Sequence, residues 1–251
     1  MITAVVLSRN DAEYIGRTLE SIHWCDEVVV IDDDSTDDTG AICERFGARV
    51  YVRALHKDFA SQRNFGLSKA RGEWVFFVDS DEIVSSQLAS EIQLVVKNAT
   101  KMPNANVGYF VRRKDFFGGR WLLHGETANV RLLRLAKRNA GIWMRPVHEV
   151  WKITGPVGIL REPLLHYPHP DVAQFIDSIN WYSTVNAQYL FRQKIRESWW
   201  KIPVYPAAKF FYNYICRLGF LDGTAGAVVA IMMSFHSFLT RAKLWKLWDR
   251  D

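Results

Sequence analysis

Residues 74–82 read WVFFVDSDE: five apolar or aromatic residues run straight into a stretch holding three carboxylates. Trp74, Val75, Phe76, Phe77 and Val78 show no polar alternation, the pattern of a strand covered on both faces in the parallel sheet of an α/β protein. The strand therefore ends where the charge begins, at the edge of the sheet. Asp79 and Asp81 stand two apart, so in an extended chain they project to the same side, roughly 6–7 Å apart along the backbone. Both can then face one cation.

The segments before this strand repeat one plan. ITAVVLS (2–8), EVVVID (27–32) and ARVYV (48–52) are short apolar strands. Between them, Asn10 with Glu13 resembles a helix start ahead of the stripe Tyr14, Ile15, Leu19 and Ile22, and Ser35 with Asp38 can cap a helix carrying Ile42, Cys43 and Phe46. FASQRNFGLSKARGE (59–73) reads as a helix stopped near Gly72. This alternation predicts a doubly wound α/β fold with a mostly parallel sheet. After residue 100 the rhythm changes. Segments 107–117 and 128–135 read as strands around the Gly-rich turn GGRWLLHGE, extending the sheet and covering a site, and from Pro170 the texture is helical. The expected division is a domain over 1–170 and a helical, basic and aromatic extension over 171–251, with no internal repeat.

The chain has 251 residues, 49% hydrophobic and 14% aromatic, which argues against disorder and allows a sizeable core. Its three cysteines, Cys25, Cys43 and Cys216, suggest a reducing compartment. MITAVVLSRN has no basic region before its apolar stretch and reads as a first strand, so a cytoplasmic location is expected. The net charge of +5 is uneven: from Arg192 onward ten Lys or Arg face four Asp or Glu. Nucleic acid could meet such a tail, but its interleaved Trp, Phe and Tyr suit an anionic membrane surface better, and no nucleic-acid partner is expected.

In open α/β sheets ligands lie at the carboxyl ends of the strands. Those ends hold Ser8, Asn10, Asp32, Asp33, Asp34, Asp79 and Asp81. An isolated DDDSTDD is equally well a solvated turn, but oxygen ligands gathered in a cleft suit Mg²⁺ or Mn²⁺ with substrate phosphates. DDDSTDD is no calcium loop, since Asp37 stands where glycine is needed and Cys43 where glutamate is needed. The chain also lacks GxxxxGK[ST] and an early GxGxxG, which speaks against ATPases and dinucleotide enzymes. Neither Asp pair follows the first strand, as a phosphatase with an aspartate nucleophile would require.

VVLSRNDAEYIGRTLESI, EVVVIDDDSTDDT and QRNFGLSKARGEWVFFVDSDE, in this order, resemble glycosyltransferase family 2, a nucleotide-sugar-binding GT-A fold, over roughly residues 1–170. VGYFVRRKDFFGGRW, RLLR, VHE and LLHYPH are similar to the subgroup of lipopolysaccharide core β-glucosyltransferases. The resemblance implies that Asp32 and Asp33 contact the nucleobase and that Arg63 approaches base or diphosphate. It also implies Asp79 as the first aspartate of a DxD motif near ribose and metal, and Asp81 as the metal ligand on the diphosphate. Ser8 and Asn10 belong to the same nucleotide site. A cation there would stabilise charge on the departing nucleoside diphosphate.

Inverting transfer also needs a base for the acceptor hydroxyl. The resemblance points to the acidic residue of an ED-like motif, here VHE and hence Glu149, with His148 replacing the usual acidic neighbour; Glu126 and Asp115 compete for the role. His166, or alternatively His169, stands where related enzymes bring a third metal ligand, and imidazole would favour Mn²⁺ over Mg²⁺. Arg112, Arg113, Lys114, Arg120, Arg131 and Arg134 make the covering ribbon basic, either as plain solvated charge or as a grip on phosphate or acidic sugar groups of an acceptor. Trp121 and Trp143 can stack on sugars or fill a core.

In KFFYNYICRLGF (209–220), Phe210, Phe211, Tyr214, Ile215 and Leu218 share a helical face. Residues 223–240 carry no formal charge, approaching the length of a span, and RAKLWKLW sets Trp245 and Trp248 among Arg241, Lys243 and Lys246 as an interfacial helix would. The expectation is a metal-dependent inverting hexosyltransferase, peripheral on the cytoplasmic face of the inner membrane. Its donor would be a nucleotide sugar, a UDP-sugar favoured, and its acceptor a lipid-linked saccharide such as the lipopolysaccharide inner core. Transfer to polyprenyl phosphate or protein, and a non-catalytic sugar-nucleotide-binding protein, are the alternatives.

Overall fold

The computed structural model describes residues 1–99, 105–168 and 171–249. The described elements, in chain order, are β1 (Ile2–Ser8), α1 (Ile15–Ser21), β2 (Glu27–Asp32), α2 (Thr39–Arg45), β3 (Arg49–Val52), α3 (Phe59–Lys69), β4 (Trp74–Asp79), β5 (Glu82–Ile83), α4 (Ser86–Ala99) and β6 (Gly108–Phe117). They continue as β7 (Arg120–Trp121), β8 (Arg131–Lys137), β9 (Gly141–Met144), β10 (Val150–Ile153), β11 (Val157–Ile159), β12 (Leu164–His166), α5 (Val172–Arg192), α6 (Lys201–Phe211) and α7 (Gly223–Trp248). The chain forms two compact units, Met1–Arg113 with Arg131–His166, and Lys114–Val130 with Tyr167–Asp251. Segment 114–130, read from sequence as cover for the α/β domain, thus clusters with the helical region.

In the first unit the strand order is β3-β2-β1-β4-β8-β6-β12-β5. β3, β2, β1 and β4 run parallel, and β8 joins β4 antiparallel. The missing polar alternation has the expected cause. Ala4, Val6, Val30, Trp74, Phe76 and Val78 enter one buried cluster with Ile15 and Leu19 of α1 and Leu88 and Ile92 of α4. Val5, Val29, Ile31, Val75 and Phe77 enter another with Ala60 and Leu67 of α3, Trp143 and Trp151. Register pairs Ser8 with Asp32 and Leu7 with Asp79, so three strands end at nearly one level.

Both expected helix caps fail. Asn10 adopts a left-handed φ of 52° and accepts from Thr36 N through its side chain, while α1 begins at Ile15. Ser35 bonds to Asp32, and α2 starts behind Asp38 with no side-chain cap. In both places a short polar side chain satisfies a loop instead, a competition that spacing alone does not resolve.

Helix α3 lies close on the sheet because residue 66 has no side chain: a Cβ there would stand 2.5 Å from Val5 Cγ1 and 3.3 Å from Ile31 Cγ1. Its flank is fixed by Asn64, whose Nδ2 donates to Trp143 O and whose Oδ1 accepts from Trp143 N, both at 2.9 Å.

In the second unit, the end of β6 and β7 form a hairpin pairing Phe116 with Trp121 and Phe117 with Arg120. Its two-residue loop, Gly118–Gly119, has φ values of 57° and 80°, as a tight turn between twisted strands demands. Leu122, Phe175, Ile179, Ala225, Val229 and Met232 make the core. Asp222 accepts from His124 N at 2.8 Å and from His124 Nδ1 at 2.9 Å, tying the segment after β7 to the start of α7.

Part of the expected interfacial side of the last helix faces inward. Lys243 Nζ turns inward to Asn180 O, Asn180 Oδ1, Ser183 Oγ and Thr184 Oγ1, all within 2.8 Å, and burial lowers its pKa. Trp248 donates to Ile195 O at 2.7 Å and packs on Phe191. The outward side of α7 is an apolar stripe instead, with Ile231, Phe235, Phe238 and Trp245 exposed. Residues 219–248 are long and apolar enough to cross a membrane by length and composition, with a third of the most apolar window buried.

Replacing Gly66 by Val forces a methyl group into Val5 and should cost about 1–3 kcal/mol of stability. Gly16→Ala on α1 meets only ordinary contacts, the nearest at 3.7 Å, so relief of the glycine penalty should make it neutral or stabilising by up to about 1 kcal/mol. Urea unfolding midpoints of both variants check this.

Candidate active site

Asp32 and Asp33 are fastened by the loops they begin. Asp32 accepts from Ser35 N at 2.9 Å, Ser35 Oγ at 2.6 Å and Ser8 Oγ at 3.2 Å. Asp33 accepts from Leu55 N at 2.7 Å and Arg9 Nη1 at 3.0 Å. A carboxylate has about four acceptor positions, so Asp33 keeps more capacity for an incoming N–H than Asp32. Asn10 N donates to Ser35 Oγ at 2.9 Å, which brings Ser8, Asn10 and Asp32 into one hydrogen-bonded loop pair.

Past β4 the extended geometry stops. Ser80 and Asp81 form a turn before β5, closed by Glu82 Oε2 accepting from Asp79 N at 2.8 Å and by Thr18 Oγ1 donating to Ser80 O at 2.7 Å. The turn gives Asp79 and Asp81 different partners, where unbroken extension predicted a shared direction. Asp79 Oδ1 accepts from Arg63 Nη2 at 2.8 Å and from Arg134 Nη1 at 3.2 Å, and its Oδ2 accepts from Arg134 Nη2. Asp81 Oδ2 lies 3.3 Å from His166 Nε2, since β12 sets His166 opposite Glu82 on β5. His169 lies outside the described residues.

Burial would raise the pKa of Asp79, but Arg134 and Arg63 together hold its carboxyl well below the ordinary range. Glu82, fully buried and accepting from Arg134 Nη2 at 3.3 Å, goes the other way: burial pushes its pKa up, against the pull of Arg134. Arg134 is 4% exposed and pairs with Asp79 and Glu82, so it is no part of a solvated ribbon. A lone arginine inside the apolar run LLRLA was the signal for it, because a charge within a covered strand needs a buried partner.

Arg63, 3% exposed, also donates from Nε to Glu149 Oε1 at 2.8 Å. Glu149 closes the loop ahead of β10, in which Arg145 and His148 take left-handed φ values of 76° and 51° and Pro146 O accepts from Phe59 N at the start of α3. The arginine plane rests 4.8 Å from the centre of the Trp143 ring, itself stacked on Trp151. Trp143 is therefore core. The competing carboxylates belong to the other unit: Glu126 Oε2 accepts from Asn213 Nδ2 at 3.0 Å and pairs with Lys209 Nζ at 3.1 Å, and Asp115 is buried. Trp121 packs there on Phe116 and Tyr167.

Among the described residues no three His, Cys, Asp or Glu side chains are grouped as a preformed metal site. The pair Asp81 and His166 fits part of one. Carboxylate oxygen and imidazole nitrogen suit a divalent first-row metal whose remaining positions substrate phosphates and water fill.

Residues 3–151 match the family described as Glycosyl transferase family 2. The lipopolysaccharide core biosynthesis glycosyltransferase LpsC of Rhizobium meliloti is 27% identical, over 98% of this chain and 92% of its own length. S. aureus TarS 1–349 has a similar fold, with a TM-score of 0.52 at 15% identity over 94% of this chain and 90% of that one. Glucosyl-3-phosphoglycerate synthase from Mycobacterium tuberculosis, solved with Mn²⁺, UDP and glucosyl-3-phosphoglycerate, gives 0.51 at 19% identity over 79% of this chain and 81% of that one. At these identities the structural likeness is one of fold, and that fold is GT-A-like. The match runs through every strand end that carries the aspartates and reaches Glu149, and the chain belongs to glycosyltransferase family 2.

Proposed function

We propose that this glycosyltransferase is a metal-dependent, inverting enzyme that moves a hexose from a UDP-sugar to a lipid-linked cell-envelope saccharide, the lipopolysaccharide inner core favoured. The observation that carries the reading is the single guanidinium of Arg63 touching both Asp79 and Glu149 at 2.8 Å, which brings the DxD aspartate and the candidate base to one point. The Mn²⁺ and UDP bound by the mycobacterial synthase and the name of the Rhizobium relative support donor and acceptor class.

In this reading Asp33, with Asp32, Ser8 and Asn10 shaping its loop, takes the nucleobase N–H. Asp79 faces the ribose, and Asp81 with His166 would hold the cation. The cation would supply positive charge to the diphosphate as it departs. Glu149 takes the proton of the acceptor hydroxyl while that oxygen bonds the anomeric carbon. The bond from that carbon to the diphosphate oxygen breaks on the opposite face, its electron pair leaving with UDP, and the configuration inverts.

Removing the base should lower turnover by about 10²–10⁴. UDP release from UDP-glucose in the presence of a truncated lipopolysaccharide core measures it: Glu149→Gln should be nearly silent while still binding UDP, and undiminished turnover would take the role from Glu149. A chelator should abolish transfer and Mn²⁺ restore it. In titration calorimetry, Mn²⁺ should strengthen UDP binding in the wild type and lose that effect in Asp81→Asn and His166→Ala; equal enhancement in the variants would remove the two from the metal site.

The exposed stripe of α7, with Phe211, Ile215 and Leu218 outward at the end of α6 and just beyond, supports peripheral attachment to the cytoplasmic leaflet with the helix lying on the bilayer. Flotation with anionic liposomes should carry the wild type upward, and Phe235→Asp with Phe238→Asp should leave it at the bottom. Resistance of the bound wild type to alkaline carbonate would mean a true span instead.

A further inference from the structure

Arg63 offers hydrogen-bond donors on three sides, and the protein fills two. Nη2 donates to Asp79 and Nε to Glu149, both at 2.8 Å, whereas Nη1 is buried with no hydrogen-bond partner among the described residues. A buried donor without an acceptor is uncommon and is relieved when an acceptor arrives.

The two filled contacts are not equally dependent on Arg63. Asp79 has a second guanidinium, since Arg134 approaches both of its oxygens. If Arg63 moves, Asp79 stays paired, so the motion strands no buried carboxylate. Among the described residues Glu149 is held by Arg63, and its side chain is 16% exposed, so water or a hydroxyl can take over when the arginine leaves. Trp143 and Phe77 lie against the guanidinium, at 4.8 and 5.6 Å from the ring centres, and confine it to a small swing in their neighbourhood.

A carboxylate oxygen already accepting from a guanidinium has fewer acceptor positions left for a hydroxyl. The arrangement therefore keeps the candidate base occupied in the free protein. We propose that Arg63 is a positioning residue that withholds Glu149 until nucleotide binds: an oxygen of the nucleoside diphosphate takes up the guanidinium, and Glu149 is released to receive the acceptor hydroxyl. The proposal rests on the reading of Glu149 as the base. Its consequence is an order of events, donor before acceptor, built from one shared side chain. By linkage, whatever frees Arg63 from Glu149 also strengthens nucleotide binding.

Titration calorimetry with UDP alone, without metal, tests the competition. Glu149→Gln preserves shape while weakening the claim on Arg63, and UDP should bind roughly tenfold more tightly, the worth of one charge-assisted hydrogen bond. Arg63→Gln should bind UDP more weakly than the wild type, and adding Glu149→Gln to it should bring no further gain. Arg63→Lys, which keeps the buried charge, serves in the same cycle should Arg63→Gln fail to fold. A merely structural ion pair predicts something else, namely unchanged or weaker UDP binding in Glu149→Gln. That result, with turnover still lost, overturns the latch and leaves the base assignment standing, as does an equal gain in the Arg63 variants. A wild type that binds UDP neither alone nor with Mn²⁺ added overturns the donor reading and this proposal with it.

Discussion

The carboxylate of Asp79, held between the guanidiniums of Arg63 and Arg134 where the parallel strands end, is the contact on which the site depends. It joins α3, β4 and β8, and through Arg63 it reaches the loop before β10, so side chains separated by up to 86 positions in sequence share one charge cluster. Two guanidiniums meet three carboxyls there: Asp79, Glu82 and Glu149. The surplus negative charge is accommodated unevenly. Asp79 stays ionised because two cations outweigh its burial, while burial raises the pKa of Glu82, which shares Arg134 with it. Such a cluster is a poor source of stability, since withdrawing the charges from water costs several kcal/mol per ion. The two apolar clusters on the faces of the sheet stabilise the unit, and the ions fix which atoms meet at its edge.

That division explains what the sequence discloses. The strands β1 to β4 are legible because burial on both faces writes itself as an unbroken apolar run. Placement of Asp32, Asp33 and Asp79 at their ends follows at once. Legibility fails where one polar residue has two outlets. Asn10 and Ser35 read as helix caps yet bond across to each other's loop, and the extended spacing that aimed Asp79 and Asp81 together is broken by a turn at Ser80 that no propensity demanded. Arg134 was hidden by its company, read with five other basic residues as a ribbon of solvated charge or a grip on an acceptor's phosphate or acidic sugar groups. The run LLRLA signals a buried charge, but which acid it meets, Asp79 at 55 positions away, is set by strand order and not by local pattern.

The helical unit shows the same principle from the other side. Composition suggested a basic surface, because Lys and Arg are concentrated near the end of the chain. Yet Lys243 is turned into four oxygen acceptors of α5, Arg241 bonds to Ser237 on its own helix, and Lys209 pairs with Glu126. Glu126 offsets the charge of Lys209, while Lys243 and Arg241 keep theirs but hold it against neutral oxygens of α5 and α7. What α7 presents outward is Ile231, Phe235, Phe238 and Trp245, spaced as one side of a helix. On the proposed peripheral reading, attraction between this face and a bilayer would draw on apolar area removed from water as well as on charge. At about 25 cal/mol per Å², a few such side chains outweigh a screened surface charge. A tail whose composition reads as electrostatic also presents an apolar face in the folded chain, because folding sets which side chains face their own helices and which face out.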